Sequence, residues 1–200
     1  MKKFQGKYRI PSARATWWDY SKGGSYFITI NTHNREHTFG EICGKDDACI
    51  VSTMALSAIG EIAQQCWIDI PNHFPHVKLG VYQVMPNHIH GILNVETLPI
   101  VDSLPPVETL PPVETLHATS LQMTAISPTA GSLARILGSY KSAVSKLANK
   151  INDGFEWQER FHDHIIRETL EYNRIEHYII HNPESWDDDC FNKPPEDNKN

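Results

Sequence analysis

The chain has 200 residues, which is enough for one domain with a full hydrophobic core, and its 40% apolar content is typical of a globular protein. No apolar run approaches the roughly 18 residues that span a bilayer, and no apolar stretch follows the charged N-terminus. We therefore expect neither a membrane segment nor a signal peptide. The four cysteines show no CxxC pair and no zinc-finger spacing, which indicates reduced thiols in a cytoplasmic protein.

The formal net charge of −6 has the wrong sign for a protein that binds phosphate, but the charges are segregated along the chain. Residues 1–24 carry six basic residues against one acid, and residues 131–150 carry four against none. The acids concentrate in residues 96–130 and 184–200. A local basic surface is therefore compatible with the net charge, although a solvated face is the simpler interpretation of any single run.

Residues 95–118 form an internal repeat of four hexads, which read VETLPI, VDSLPP, VETLPP and VETLHA. Proline recurs too often for a helix or a central strand, and no hexad has enough apolar surface to fold alone. We therefore predict a disordered or polyproline-like insertion over residues 96–130. It interrupts a main domain of residues 25–187, which follows a basic aromatic arm (1–24) and precedes an acidic tail (188–200).

Hydrophobic periodicity outside the insertion predicts seven elements in the order βαββαβα. In chain order they are a strand at 26–31, a helix at 52–67, strands at 77–84 and 88–95, a helix at 132–149, a strand at 160–167 and a helix at 168–181. This order predicts an α+β fold, with a ferredoxin-like (RRM-like) antiparallel sheet (βαββαβ) and helices packed on it.

Two histidines share one face of the predicted strand at 88–95, because side chains alternate between the faces of a sheet. His88 and His90 project in parallel and can chelate one cation, while Ile89 between them lies on the apolar face with Gly91 and Leu93. An isolated HxH pattern is weak evidence, since two half-exposed histidines on a polar face would look the same.

A second HxH pattern competes with the first. His162 and His164 have the same spacing on the strand at 160–167, but Asp163 between them is acidic and provides no buried apolar anchor. We therefore rank this pair second as a metal site.

Helical geometry separates the tyrosines of the last two helices, at about 100° per residue. Tyr140 belongs to the apolar stripe of the helix at 132–149 and is predicted to be a core residue. Tyr172 belongs to the stripe of the last helix, whereas Tyr178 lies at its edge, with Asn182 one turn further on. The sequence alone leaves open whether this helix face meets the two histidines. The stripe of the helix at 132–149 comprises Leu133, Ile136, Leu137, Tyr140, Val144 and Leu147.

Two basic regions are candidates for contact with a nucleic-acid backbone. Arg135, Lys146 and Lys150 lie opposite the apolar stripe of their helix, where a solvated face is the alternative interpretation. In the arm, aromatic residues beside basic side chains are suited to stacking on the bases of a single strand. The same residues are equally compatible with an arm that packs on the domain. The arm residues concerned are Arg14, Trp17 and Trp18.

Four segments, taken together and in this order, resemble one known family. They are WWDYSKGGSYFITINTHNREHTFGEI, MPNHIHGIL, WQERFHDHIIR and YNRIEHYIIHNPESW. The chain resembles the HUH single-tyrosine transposases, and within them the branch of REP-associated tyrosine transposases. The resemblance covers about residues 7–94 and 131–187, and the proline-rich hexads depart from it.

The resemblance implies a metal-dependent enzyme that cleaves and rejoins single-stranded DNA. By correspondence with the family motifs, His88 and His90 are metal ligands, Asn182 is the third ligand, and Tyr178 is the nucleophile on a C-terminal catalytic helix. The implied intermediate is a 5′-phosphotyrosine, the implied cofactor is Mg²⁺ or Mn²⁺, and the implied substrate is a hairpin of a repeated extragenic palindrome. Arg174 is a candidate for DNA contact and for assisting the phenolate. The resemblance is compatible with a monomer or a homodimer.

Two other classes of function remain open. One is a non-catalytic module that binds hairpin DNA or RNA on the same fold. The other is a metal hydrolase that uses His88, His90 and an acid such as Glu171, with water as the nucleophile.

Overall fold

The computed structural model describes residues 3–4, 7–8, 18, 23–43, 53–97 and 132–192. The strands are β1 (Lys3–Phe4), β2 (Lys7–Tyr8), β3 (Gly24–Asn31), β4 (Gly40–Cys43), β5 (Thr53–Leu56), β6 (Val77–Val84), β7 (His88–Val95) and β8 (His162–Ile166). The helices are α1 (Ala58–Ile68), α2 (Ile70–His73), α3 (Leu133–Ala148) and α4 (Thr169–His181), with short 3-10 helices at His33–Arg35 and Asn182–Asp188. Among these helices, none is long and apolar enough to cross a membrane.

A four-stranded antiparallel sheet forms the centre of the fold, with the spatial order β6-β7-β3-β8. The first and third strands of the βαββαβ unit, β3 and β7, lie at the centre, and the second and fourth lie at the edges. This is the ferredoxin-like arrangement, so the predicted fold class is confirmed. The predicted boundaries of β6 and β7 match the observed ones.

The two faces of β7 pack into two different apolar clusters. Ile89 and Leu93 join the larger cluster, which lies between the sheet and the helices α1 and α3. Ile92, on the opposite face, joins a smaller cluster with Ile175 and Ile179 of α4. The central strand is therefore covered on both sides, and His88 and His90 share the face that α4 covers.

Helix α3 packs its apolar stripe against the larger cluster, as the periodicity predicts. Tyr140 is buried at 3% exposure, and its hydroxyl donates a hydrogen bond to the carbonyl of Ala63 at 3.1 Å. The prediction for Leu147 is wrong, because this side chain is 38% exposed and Ala148 takes the buried position. A helical period of 3.6 residues carries the stripe from Val144 to Ala148 in the next turn.

The helix predicted at 52–67 begins later than expected. Residues 53–56 form β5, which pairs with β4 in a hairpin that the sequence analysis did not predict. Helix α1 begins at Ala58, because the hydroxyl of Ser57 accepts a hydrogen bond from the backbone N–H of Gly60 at 3.1 Å and caps the helix. Leu56 therefore ends a strand instead of starting a helical stripe.

Helix α4 approaches the sheet closely at Gly80 of β6. A Cβ atom at Gly80 would lie 2.8 Å from the hydroxyl of Tyr172 and 2.9 Å from Cβ of Ile92. The absence of a side chain here lets the helix settle on β6 and β7, which places its last turn beside the histidine pair.

Three predicted segments lie mostly outside the described residues. These are the hexad insertion at 96–130, of which only residues 96 and 97 are described, the basic arm, of which only short pieces are described, and the acidic tail at 188–200, of which only residues 188–192 are described. Among the described cysteines, Cys43, Cys66 and Cys190 are free thiols, as predicted.

Substitution of Gly91 should destabilise the fold, because a Cβ atom there would lie 2.3 Å from the buried ring of Trp67. We expect Gly91→Ala to lower the free energy of unfolding by about 1–3 kcal/mol, the usual cost of overpacking a core.

Gly138→Ala is the matched control. An alanine Cβ at this exposed position on α3 would meet no atom within 4 Å, and it should stabilise the helix by about 0.8–1 kcal/mol. Chemical denaturation of both variants measures the difference, and equal stabilities would contradict this packing.

Candidate metal centre and tyrosine site

The two histidines of β7 are buried and adjacent. His88 is 0% exposed and His90 is 1% exposed, with ring centroids 4.4 Å apart. Each ring uses Nδ1 for a neighbouring oxygen: Asn87 Oδ1 lies 2.8 Å from His88 Nδ1, and Thr29 Oγ1 lies 2.9 Å from His90 Nδ1. The two Nε2 atoms remain for other partners.

Tyr178 and Asn182 lie beside this pair. The face of α4 that carries Tyr178 therefore meets the face of β7 that carries the histidines, which the sequence alone left open. The hydroxyl of Tyr178 lies 3.3 Å from His90 Nε2, and the ring centroids are 5.3 Å apart. Tyr178 is 43% exposed, whereas Asn182 is 2% exposed. The backbone of Asn182 stays helical (φ −59°, ψ −40°), which keeps it one turn beyond Tyr178.

An acid that the sequence analysis missed completes the cluster. One ligand atom from each of His88, His90 and Asp189 lies within 4.8 Å of the other two. Asn182 Nδ2 donates a hydrogen bond to Asp189 Oδ2 at 3.1 Å. The only signal for it in the sequence is the acidic run at 187–189, and such a run is also typical of a solvated tail. In the structure, the 3-10 helix after α4 turns the chain back towards the histidines.

The residues after Asp189 pack over the histidines. The ring of Phe191 lies 4.7 Å from that of His88 and 5.9 Å from that of His90, and Trp186 lies 5.9 Å from His88 on another side. Arg35 donates a hydrogen bond to the carbonyl of Cys190 at 2.8 Å. Residues 189–192 therefore form part of the wall of the site.

Burial sets the protonation of the site. It holds the pKa of His88 well below its usual range, and the charges of His90, Arg35 and His37 act in the same direction. Burial also lowers the pKa of His90 to about 4, against the opposing charge of Asp189. Both rings are therefore neutral near pH 7, which is the form that a metal ion requires.

The phenol of Tyr178 is likewise held in its neutral form. Burial raises its pKa to about 12, and the charges of Asp189 and Cys190 act in the same direction, opposed by a hydrogen bond with Asn182. The phenolate, which is the nucleophilic form, is therefore disfavoured near pH 7.

The donor set fits a divalent cation. His88 Nε2 and Asn182 Oδ1 are buried atoms for which the described residues supply no hydrogen-bond partner, and such atoms are costly unless a ligand satisfies them. Two imidazoles, one amide oxygen and one carboxylate would hold the ion through His88, His90, Asn182 and Asp189. The carboxylate would also offset part of the positive charge of the ion.

The competing histidine pair lies on the same sheet face but has other partners. His162 and His164 pair with Thr29 and Phe27 of β3, in the same rows as His90 and Ile92. His164 Nε2 lies 2.8 Å from Glu171 Oε1, within hydrogen-bonding distance. Glu171 also accepts a hydrogen bond from the backbone N–H of Arg167, so it does not join the cluster of His88, His90 and Asp189.

The candidate DNA-contacting residues lie in different parts of the fold. Arg174 is exposed on α4, one turn before Tyr178, and lines a cleft with His164. Trp18 is half-buried, packs against the larger cluster and hydrogen-bonds Tyr26, which is the packed-arm alternative. Arg14 and Trp17 lie outside the described residues.

The basic face of α3 is remote from the tyrosine. Arg135, Lys146 and Lys150 are exposed, as expected, but α3 covers the sheet face opposite α4. The structure therefore does not bring this track together with Tyr178.

The low pKa of His90 predicts that the metal-free protein loses stability in acid. Its folded pKa of about 4 lies below the value of about 6.5 for an unfolded histidine, so the unfolded chain binds more protons between these values. The contribution of His90 to the free energy of unfolding is therefore complete above about pH 6.5. It decreases by up to about 3 kcal/mol as the pH falls towards 4.

In thermal unfolding with EDTA, the melting temperature of His90→Asn should depend less steeply on pH than that of the wild type. The exposed His177→Gln variant is the control and should keep the wild-type slope; an unchanged slope in His90→Asn would contradict the assignment.

Removal of the Asp189 charge should weaken metal binding. We expect Asp189→Asn to reduce Mn²⁺ affinity at least about tenfold, because ligand charge controls the affinity for hard cations. Loss of the free Mn²⁺ electron paramagnetic resonance signal measures this without DNA. Asp188→Asn, an exposed neighbour, is the matched control and should bind like the wild type. Equal affinity of the two variants would remove Asp189 from the ligand set.

Known proteins resemble this chain in sequence and in fold. No protein-family model matches the chain. An uncharacterized protein of Haemophilus influenzae is 35% identical over 185 residues, which cover 92% of this chain and 93% of that protein. The solved structure of a REP-associated tyrosine transposase bound to a REP hairpin matches with a TM-score of 0.54 and 18% identity, covering 88% of this chain and 74% of that one.

These matches carry different weight. The level of identity to the Haemophilus influenzae protein, over nearly the full length of both chains, indicates common descent. The structural match supports a shared fold, in agreement with the motifs in the sequence. The chain therefore belongs to the family of the Haemophilus influenzae protein and has the fold of the REP-associated tyrosine transposases.

Proposed function

We propose that this protein is a metal-dependent enzyme that cleaves single-stranded DNA and transfers the strand, with Tyr178 as the nucleophile and a 5′-phosphotyrosine as the intermediate. The observation that carries the proposal is the position of the Tyr178 hydroxyl, 3.3 Å from His90 Nε2, at the edge of a cluster with unsatisfied buried ligand atoms. A binding module has no use for this combination.

The chain supplies the nucleophile and the ligands. When bound, the cation would act as a Lewis acid on the scissile phosphate. Tyr178 Oη forms a bond to phosphorus, the bond from phosphorus to the 3′ oxygen breaks, and the proton of the phenol is balanced by protonation of the departing 3′ oxygen. Attack by another 3′-OH reverses these changes, so the phosphodiester count is conserved and no nucleotide cofactor is required.

Mg²⁺ or Mn²⁺ is the proposed cation. Mg²⁺ prefers an octahedron of oxygen ligands, whereas Mn²⁺ also accepts imidazole nitrogen. Because two of the four candidate ligands are histidines, the site favours Mn²⁺ when both ions are offered at equal concentration.

A hairpin with a short flanking single strand is the proposed substrate. The solved structure with the same fold contains a REP hairpin, and Tyr178 here lies on an exposed surface that a flexible single strand can reach. Arg174, one turn from Tyr178, is the proposed contact for a neighbouring phosphate. Arg14, Trp17, Trp18, Arg135, Lys146 and Lys150 remain further candidates for contact with the DNA.

One assay separates the three classes of function. A hairpin oligonucleotide labelled at its 3′ end is incubated with the protein and Mn²⁺ or Mg²⁺, and the products are resolved on a denaturing protein gel. Transesterification leaves the label on the protein, whereas attack by water leaves it on free DNA. A module that only binds gives a native-gel shift and no cleavage.

Tyr178→Phe should abolish the labelled protein band and lower cleavage by at least about a thousandfold, as expected for loss of a covalent nucleophile. Tyr172→Phe is the matched control, since it makes the same change on the same helix in a side chain that packs against Ile92 and Ile175. Persistence of the band in Tyr178→Phe would identify a different nucleophile. Cleavage by the wild type without any band would instead support the metal hydrolase, with Asp189 as its acid.

A further inference from the structure

Asn87 lies directly before His88, in the turn that leads into β7, and is 1% exposed. Its side chain makes three hydrogen bonds. Nδ2 donates to the carbonyl of Arg35 at 3.0 Å and to the carbonyl of Phe191 at 2.7 Å, and Oδ1 lies 2.8 Å from His88 Nδ1. Both amide protons and one acceptor position are therefore used.

These contacts determine the orientation of the amide. A backbone carbonyl can only accept, so the atom that faces Arg35 and Phe191 must be the NH₂ group. The opposite orientation would place the amide oxygen against two carbonyl oxygens and leave at least one amide proton without a partner. Oδ1 therefore faces His88.

The orientation of Asn87 in turn determines the tautomer of His88. An amide oxygen can only accept, so Nδ1 of His88 carries the proton in this contact. A neutral imidazole has one N–H, which leaves the lone pair on Nε2. This is the buried nitrogen for which the described residues supply no partner, and it is the form that binds a metal ion.

We propose that Asn87 is a positioning residue that holds His88 as the Nδ1–H tautomer and thereby presents the Nε2 lone pair to the divalent cation. The proposal rests on the metal site of the proposed function and does not depend on the tyrosine chemistry. It also connects the ligand to the segments around it, because the same amide holds the backbone of Arg35 and Phe191 on either side of His88.

The second histidine has different partners at its ring nitrogens. Thr29 Oγ1, which lies 2.9 Å from His90 Nδ1, is a hydroxyl that can donate or accept, so it does not select a tautomer by itself. The hydroxyl of Thr29 therefore does not fix the protons of His90 in the way that the amide of Asn87 fixes those of His88.

The experiment is performed on the metal-free full chain labelled with ¹⁵N-histidine, using two-bond ¹H–¹⁵N correlation spectra to read the tautomer. His88→Gln identifies the His88 signals by their loss. We expect wild-type His88 to show a protonated Nδ1 and an unprotonated Nε2. Asn87→Ala should populate the Nε2–H form, whereas Asn87→Asp, which keeps an acceptor for Nδ1–H but loses both donors, should keep the wild-type tautomer.

Binding of Mn²⁺ without DNA provides the second readout. We expect Asn87→Ala to weaken Mn²⁺ binding about 10–100-fold, the usual effect of removing the partner of a ligating histidine. The matched control is Asn94→Ala, which removes an amide from the same strand, where its Oδ1 accepts a hydrogen bond from Ser25. This control should bind Mn²⁺ within about twofold of the wild type, since its hydrogen bond does not involve a ligand.

Three outcomes would overturn the proposal. They are a wild-type His88 protonated at Nε2, an Asn87→Ala variant with unchanged tautomer and affinity, and an Asn87→Asp variant that loses the tautomer together with Asn87→Ala. The last would mean that the amide only tethers Arg35 and Phe191. The wild-type tautomer is read with the His88→Gln assignment alone, so poor folding of Asn87→Ala leaves this part of the test intact. Absence of a DNA adduct alongside the expected spectra and affinities would count against Tyr178 alone.

Discussion

The site depends on the fact that β7 is covered on both faces. Ile89 and Leu93 pack toward α1 and α3, and the opposite face lies under α4 and the chain that follows it. Neither histidine on that second face can keep a hydration shell, so the charged imidazolium is disfavoured and the neutral ligand form prevails. The same loss of water stabilises the neutral phenol of Tyr178. One constraint therefore keeps both imidazoles neutral and at the same time disfavours the phenolate of Tyr178.

Covering the second face requires distant parts of the chain to converge. Helix α4 supplies Tyr178, and the 3-10 helix beyond it turns the chain so that Asp189 and Phe191 return to the histidines. Arg35 reaches the same region from a short segment in which Asn34 and Arg35 both adopt positive φ (50° and 57°). Such backbone is costly for residues other than glycine, and it persists here beside the site. The hydrogen bonds of Arg35 to Cys190 and to Asn87 link that segment to the other walls.

Local rules predicted most of the sheet and the faces of its strands, because strand alternation depends only on neighbouring residues. They placed His88 and His90 together, separated Tyr140 from Tyr178, and gave the boundaries of β6 and β7. They failed where a tertiary contact decided the outcome. The hairpin of β4 and β5 displaced the start of α1, and no local pattern distinguishes Asp189 from its exposed neighbours. The meeting of Tyr178 with His90 was likewise beyond local rules, since it depends on how closely α4 approaches the sheet at Gly80.

The contact between Tyr178 and His90 has a consequence for how the site must work. When His90 is protonated at Nδ1, its Nε2 has a single lone pair, which can accept the hydrogen bond of the phenol or bind a cation but cannot do both. Coordination of a cation through His90 Nε2 would therefore require the phenol of Tyr178 to give up this contact. The phenol would then need a different partner, and a hydrogen bond with Asn182 is the contribution that lowers the pKa of Tyr178. Since Asn182 also donates a hydrogen bond to Asp189, one amide at the end of α4 connects the phenol of Tyr178 with the acid of the cluster.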